Sequence, residues 1–251
     1  MPTPITASTL SALLSAALAQ KPTRPLVLAL DGRCGSGKTT LANGLAAQFP
    51  GCTLLRTDDF YLPPARRSPD WAHTPCANMD LTRLRDEALR PAYAGQTVDY
   101  RAYSCREGAY LPPVQLPAQP LVILEGSYSH HPLLRPYETL RVFVTCTKAE
   151  QTRRLQAREG ARYADFAARW VPLEEGYFAR YGIAESADFV VETTDSPSLP
   201  VMGIDGSRGF SSSSVFSLGE EVSSTTGGFS CGLVMAGGIS GIELMVVGVS
   251  V

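Results

Sequence analysis

Gly32-Arg33-Cys34-Gly35-Ser36-Gly37-Lys38-Thr39 decides the reading of this 251-residue chain, because it fits the pattern G-x-x-x-x-G-K-[ST] without a gap. The glycines permit turns and a close approach that Cβ atoms would block. Backbone N–H groups along Gly32, Arg33, Cys34, Gly35, Ser36, Gly37, Lys38, Thr39 and Thr40 can therefore converge on phosphate oxygens. Lys38, expected on a surface loop, adds a mobile positive charge, and Thr39 offers a hydroxyl to a magnesium ion. From Thr40 onward, the apolar Leu41, Ala42, Leu45 and Ala46 read as a helix whose N-terminal dipole faces the same phosphates. The run Leu26-Val27-Leu28-Ala29-Leu30 just before the loop suits a buried parallel strand. The chain is expected to use a nucleoside triphosphate; a Gly-rich turn without a ligand is the plainer alternative.

Working outward, Thr53 to Thr57 reads as a second strand running into the acidic turn Asp58-Asp59. A proline-rich segment (Pro63, Pro64, Pro69, Pro75) precedes a helix from Asp80 to Tyr93, with Leu81, Leu84, Ala88 and Leu89 at helical spacing. Thr97 to Tyr103 and Ala109 to Leu116 flank Glu107-Gly108 as a hairpin. Leu121 to Leu124 is a buried strand ending at Glu125-Gly126, Leu140 to Val144 a fourth, and Phe189 to Val191 a fifth, with a helix from Lys148 to about Glu159 between the last two. Alternating strands and helices imply an α/β fold, a five-stranded parallel sheet with helices on both faces and a small β-hairpin insertion; with the phosphate-loop pattern this is the three-layer arrangement expected of a P-loop NTPase.

Lys and Arg number 22 against 24 Asp and Glu, a balance that argues against a dedicated nucleic-acid surface. Six scattered cysteines (Cys34, Cys52, Cys76, Cys105, Cys146, Cys231) form no C-x-x-C pair, so neither a zinc site nor a disulfide framework is suggested, and a cytoplasmic setting fits. The Ala-rich stretch Leu10 to Gln20 reads as a helix beside the first strand rather than a secretory segment, since Met1 to Thr9 carries no Lys or Arg. Residues 1–200 are expected to hold the whole domain. Residues 201–251 are Gly/Ser-rich and nearly free of charge, and read as a low-complexity tail rather than a folded domain. A frame change near residue 200 is the alternative. Leu233 to Val251 is apolar, yet Glu243 and the glycines argue against a membrane anchor.

Several stretches, in order, resemble the uridine kinase and phosphoribulokinase branch of the P-loop kinases: Gly32 to Thr39, Thr57-Asp58-Asp59-Phe60-Tyr61, Asn78-Met79-Asp80, Asp99-Tyr100-Arg101-Ala102-Tyr103, Val122-Ile123-Leu124-Glu125-Gly126, and the Arg-rich segment Arg153 to Arg180. The resemblance implies that Asp58 lies beside the acceptor hydroxyl and the metal, as a carboxylate positioned to take the proton lost when the phosphoryl group arrives. A cap or turn role is the alternative for Asp58, and Asp59 is its rival. Glu125 resembles the acidic residue that holds magnesium through water. Asp80 matches the position that hydrogen-bonds ribose hydroxyls, with a helix N-cap as the plainer role.

The segment of about 153–181 reads as the lid, with Arg158 and Arg169 chosen from its arginines to close over the triphosphate. Phe166, Trp170, Tyr177 and Phe178 read as its packing face. Where the family offers an aromatic followed by a histidine, this chain has Tyr100 and Tyr103, while His73, His130 and His131 fall elsewhere. Tyr61, Tyr100, Arg101 and Tyr103 complete the expected acceptor side, and Arg101 and Arg106 would suit an anionic acceptor. The resemblance implies Mg2+-dependent transfer of the ATP γ-phosphate to a hydroxyl of a small metabolite, a nucleoside foremost. Sugar phosphates, glycerate or pantothenate are the alternative acceptors. A nucleotide-binding pseudoenzyme or switch is the alternative of another class, although no N-K-x-D motif is present. The expected partner is the small-molecule acceptor, with self-association left open.

Overall fold

The structure is a computed structural model that describes residues 1–195; the expectations for residues 201–251 lie outside the described residues. It opens with β1 (Thr3–Ile5), α1 (Ala7–Ala19), β2 (Leu26–Gly32), α2 (Lys38–Gln48) and β3 (Cys52–Arg56). A 3-10 turn over Thr57–Phe60 carries the acidic pair. Next comes a helical stretch of three contiguous parts: α3 (Leu81–Arg83), a π-helix (Leu84–Leu89) and α4 (Arg90–Tyr93). Pro91 has no N–H to give to the preceding turn, and the widened π register just before it absorbs the mismatch. The hairpin follows as β4 (Val98–Tyr100), β5 (Tyr103–Ser104), β6 (Ala109–Tyr110) and β7 (Val114–Leu116). The chain then returns through β8 (Leu121–Glu125), β9 (Leu140–Thr145), α5 (Lys148–Glu159), α6 (Tyr163–Tyr181) and β10 (Phe189–Glu192).

All five expected strands are present, in a parallel sheet of order β1-β10-β9-β2-β8-β3. The sixth, β1, pairs Thr3, Pro4 and Ile5 with Phe189, Val190 and Val191. Three residues with a central proline carry no strand signal, and only an edge position tolerates the missing donor. The expected single hairpin is two short antiparallel ladders, β4 with β7 and β5 with β6, bridged where Leu111 N–H donates to the Ala102 carbonyl.

Strand alternation sorts the core into two layers. Val27, Leu55, Val122, Leu124 and Phe143 pack with Leu84, Leu89, Tyr177 and Phe178 on one face. Leu28, Leu30, Leu121, Ile123, Val142 and Val144 pack with Leu10, Leu14, Leu41 and Leu45 on the other. Each fully buried leucine contributes about 1.5–3 kcal/mol relative to an exposed one, so the two apolar faces hold the helices on both sides of the sheet. The loop Arg33–Gly37, the acidic turn and Glu125-Gly126 all leave the carboxyl ends of β2, β3 and β8, where ligands of open parallel sheets bind.

Two glycines are there by steric necessity. A Cβ on Gly32, at φ 139°, would stand 1.9 Å from the Val144 carbonyl oxygen, and one on Gly126, at φ 126°, would stand 2.1 Å from Thr57 Oγ1. They let the loop leave β2 against β9, and let β8 end against the acidic turn. The five cysteines among the described residues are free thiols. No helix among them is long and apolar enough to cross a membrane.

Candidate active site

The loop between β2 and α2 is held from its carbonyl side. Gln151 Nε2 donates to Cys34 O (3.0 Å), Arg154 Nη1 to Gly35 O (3.3 Å) and Thr193 Oγ1 to Ser36 O (2.7 Å). In a trans peptide the C=O and N–H point opposite ways, so pinning the Cys34 and Ser36 carbonyls turns the Gly35 and Gly37 N–H groups to the other side, while the Ser36 N–H closes a turn on the Arg33 carbonyl at 3.0 Å. Gly37 precedes α2 with no side-chain cap, which leaves the first N–H groups of that helix available as well. Ser36 Oγ is buried without a partner. Lys38 is buried rather than on a surface loop, at 8% exposed: its ammonium donates to Gly32 O at 2.5 Å and Arg33 O at 3.0 Å.

Beside the loop, Thr39 Oγ1 donates to Glu125 at 3.2 Å, and Glu125 is also ion-paired with Arg56. Burial pushes the Glu125 carboxyl above its ordinary range, the Arg56 charge opposes this, and the Asp58 charge adds to it. Asp58 is exposed to water yet crowded by protein. That crowding raises its carboxyl, and the Lys38 charge pulls the other way. Its hydrogen-bond partner is Tyr61, whose hydroxyl lies 3.4 Å away. Asp59 is tied down: Tyr100 donates to Oδ2 at 2.5 Å, and the Asp59 carbonyl accepts from Arg83 at 3.1 Å. Asp58 is thus the member of the pair left without a close partner and within reach of the Lys38 charge. The hydroxyl of Thr39 with the Glu125 and Asp58 carboxylates is a set of hard oxygen donors that fits Mg2+, which takes few protein ligands and shares the rest with phosphate and water. Among the described residues no three His, Cys, Asp or Glu side chains form a metal cage.

Comparison with solved structures finds the same architecture. A possible uridine kinase from Bacillus stearothermophilus superposes with a TM-score of 0.58 and 22% identity over 74% of this chain and 96% of that one. A structure provisionally named as a fructose transport system kinase from Silicibacter sp. TM1040 gives 0.58 and 19% over 74% and 98%. The chain shares the P-loop kinase α/β fold of these structures. D-glycerate 3-kinase from Cryptococcus neoformans var. grubii matches at 0.50 and 16% over 74% and 95%. No family model and no curated protein matches the sequence.

Within this P-loop kinase fold, the loop, Thr39, Asp58 and Glu125 come together as the motifs imply. Arg158 is close enough for its charge to oppose the upward shifts at Asp58 and Cys34, and its guanidinium lies over Phe166 and pairs with Glu159. Arg169 instead lies over Trp71, 5.9 Å from the ring centroid. Asp80 takes the plainer role: its Oδ1 caps the following helix by accepting Arg83 N–H at 3.1 Å, and Arg66 pairs with Oδ2. Tyr100 is buried, and its hydroxyl is engaged by Asp59 and the Arg56 N–H. Tyr103 is buried edge-on against Tyr110. Arg101 folds onto the Tyr110 ring and donates to Leu111 O.

Sequence reasoning missed the residues that fix the loop from behind, Gln151, Arg154 and Thr193. It also missed Arg56 on Glu125, and Asp31, whose buried carboxylate accepts Gly32 N–H (2.7 Å), His130 N–H (2.9 Å) and the Tyr177 hydroxyl (2.7 Å). A polar Asp31 closing an apolar strand was the one visible signal among them.

Proposed function

We propose that the protein transfers the γ-phosphoryl group of ATP to a hydroxyl of a small metabolite, with a nucleoside as the first-choice acceptor. The observation that carries this reading is Asp58: one carboxylate of the acidic turn faces the loop lysine and the Thr39–Glu125 pair, while its neighbour is tied to Tyr100.

On this reading the Gly35 and Gly37 N–H groups and those opening α2 bind the phosphate chain, and Lys38 leaves its two carbonyls to meet negative charge on the phosphates. Thr39, Glu125 and Asp58 would hold Mg2+, which when bound neutralises charge on the phosphate oxygens. Asp58 accepts the proton of the acceptor hydroxyl as that oxygen forms its bond to the γ-phosphorus; the bond to the bridging oxygen breaks and ADP leaves. Crowding by protein raises the proton affinity of Asp58 against the pull of Lys38, the direction that strengthens a base. Arg158 adds positive charge from α5. Of the two arginines that would suit an anionic acceptor, Arg106 is exposed and Arg101 is folded onto Tyr110 and the Leu111 carbonyl, which supports the neutral nucleoside as first choice.

The test is ADP release by purified protein with MgATP against nucleosides, sugars, glycerate and pantothenate. Turnover with one class identifies the acceptor; ATP binding without turnover on any of them would favour a nucleotide-binding module. Arg101→Ala separates the acceptor classes. Unchanged acceptor KM at low and high salt is expected for a nucleoside, and a KM raised mainly at low salt would reveal an anion.

A further inference from the structure

The hydroxyl of Tyr100 is engaged inside the protein. It donates its single proton to Asp59 Oδ2 at 2.5 Å and accepts the Arg56 backbone N–H at 3.2 Å. Tyr100 is 8% exposed, and its ring stands edge-on to Phe60 with centroids 5.6 Å apart. It closes β4, where it pairs with Val114 of β7, so the hairpin carries this side chain to the acidic turn from outside the main sheet. A residue expected to line the acceptor side therefore has no proton left to offer an acceptor.

What the hydroxyl holds is the turn itself. Thr57, Asp58, Asp59 and Phe60 form one 3-10 turn, and with about three residues per turn neighbouring side chains point roughly 120° apart. Fixing the direction of Asp59 therefore fixes that of Asp58. The turn is also fastened through its backbone and through Thr57: the Phe60 carbonyl accepts the Asp80 N–H at 2.7 Å, the Asp59 carbonyl accepts from Arg83 Nη2 at 3.1 Å, and Thr57 Oγ1 donates to Ser127 O at 2.9 Å. Arg83 ties the turn to the hairpin a second time, since its Nη1 donates to Arg101 O at 2.7 Å. None of these bonds holds a carboxylate of the acidic pair. The Asp58 carboxylate meets Tyr61 at 3.4 Å, at the long end of hydrogen bonding, whereas Asp59 meets Tyr100 at 2.5 Å.

Building on the phosphoryl-transfer reading above, we propose that Tyr100 is a positioning residue for Asp58: by locking the neighbouring Asp59 it sets the direction from which Asp58 meets the acceptor hydroxyl, and it takes no part in binding the acceptor. The hairpin thereby serves the reaction through the geometry of the acidic turn.

Tyr100→Phe keeps the ring against Phe60 and removes the hydroxyl alone. Steady-state kinetics of the full chain with MgATP and uridine, or with whichever member of the acceptor panel turns over when uridine does not, should show kcat about tenfold lower, with both KM values within about twofold of wild type. Asp59→Ala removes the other partner of the bond and should lower kcat about equally. Tyr100→Phe and Asp59→Ala combined should lower it no further than either alone, because one interaction is lost in all three. Asp59→Asn keeps an oxygen for the hydroxyl and should retain most of the wild-type kcat. A Tyr100→Phe variant with unchanged kcat would make the hydroxyl a brace of the fold, and one with raised acceptor KM in place of lowered kcat would make it an acceptor contact; either result overturns the inference. Losses that multiply in the double variant would overturn it as well. In each of these cases wild-type turnover leaves the phosphoryl-transfer reading standing. If wild type turns over no member of the panel, both fall.

Discussion

Lys38 ties the fold of the loop to the proposed phosphate chemistry through one side chain. Its buried ammonium donates to the carbonyls of Gly32 and Arg33, so truncation to alanine removes charge from the loop and takes a donor from both, with Arg33 O keeping the Ser36 N–H. Lys38→Met, which keeps the stem, is expected to abolish turnover, a loss on the order of several kcal/mol of transition-state stabilisation. Lys38→Ala should show in addition a lowered melting temperature. For the acidic turn, Asp58→Asn should depress kcat by roughly a hundredfold or more with ATP binding retained. Asp59→Asn should cost less in kcat but weaken the bond to Tyr100, at about 1 kcal/mol in denaturant unfolding. The opposite ranking of the two kcat values would make Asp59 the base.

At the scale of elements, α5 and α6 hold the phosphate loop through different groups: α5 donates to carbonyls through Gln151 and Arg154, and α6 accepts an N–H through Glu174. Arg154 also donates to Thr193 Oγ1 (2.9 Å) and to its carbonyl (2.7 Å), which links α5 to the chain leaving β10. Arg154→Ala frees the Gly35 carbonyl and Thr193 together, and is expected to raise the KM for ATP by about tenfold with a smaller effect on kcat, since it disorders the loop without touching the acceptor. Steady-state kinetics with varied ATP would show it, and an effect confined to acceptor KM would contradict it. Tyr177→Phe removes one of three donors to the buried Asp31 carboxylate and should cost about 1–3 kcal/mol of stability, measured by chemical denaturation.

For the whole molecule, one buried carboxyl links folding to pH. Both oxygens of Glu138 are buried without a hydrogen-bond partner, and burial, aided by the Asp31 charge, pushes its carboxyl up to about 8 against the pull of Arg141 and Arg135. Between the unfolded value near 4.5 and this raised value, the folded state holds a proton that the unfolded chain has released. Stability from this group is present below about pH 4.5 and is lost as pH rises towards 8, with a slope of about 1.4 kcal/mol per pH unit at most. His130 and His131, lowered by burial, act in the opposite direction near their ordinary range, so the total curve mixes signs. The difference between wild type and Glu138→Gln isolates the carboxyl. The variant should gain melting temperature relative to wild type steadily from pH 5 to pH 8, and a constant difference would contradict the linkage.

The local structure of this protein was legible in its sequence because it is local. A glycine pattern opens a loop, an apolar run makes a strand, and a carboxylate at a strand end is carried to the edge of the sheet whatever the rest of the chain does. Gly32 to Thr39, Asp58, Glu125 and the five strands could be read for that reason. What the tertiary structure alone decided is which groups meet across sequence distance. Asp58 and Asp59 are adjacent and chemically alike, and only the arrival of Tyr100 from the hairpin ties down one of them. Arg158 and Arg169 look equivalent in an Arg-rich stretch, yet one is held within electrostatic reach of the loop and the other lies over Trp71. Glu174 sits in an ordinary amphipathic helix, and its place on the Cys34 N–H follows from how α6 packs against the sheet. Even the edge strand Thr3–Ile5 has no signal of its own, because its hydrogen bonds are supplied by β10, more than 180 residues away in the chain. Short-range sterics and polarity act within a few residues and can be read from them; hydrogen bonds and fields act through space, and space is known only once the chain has folded.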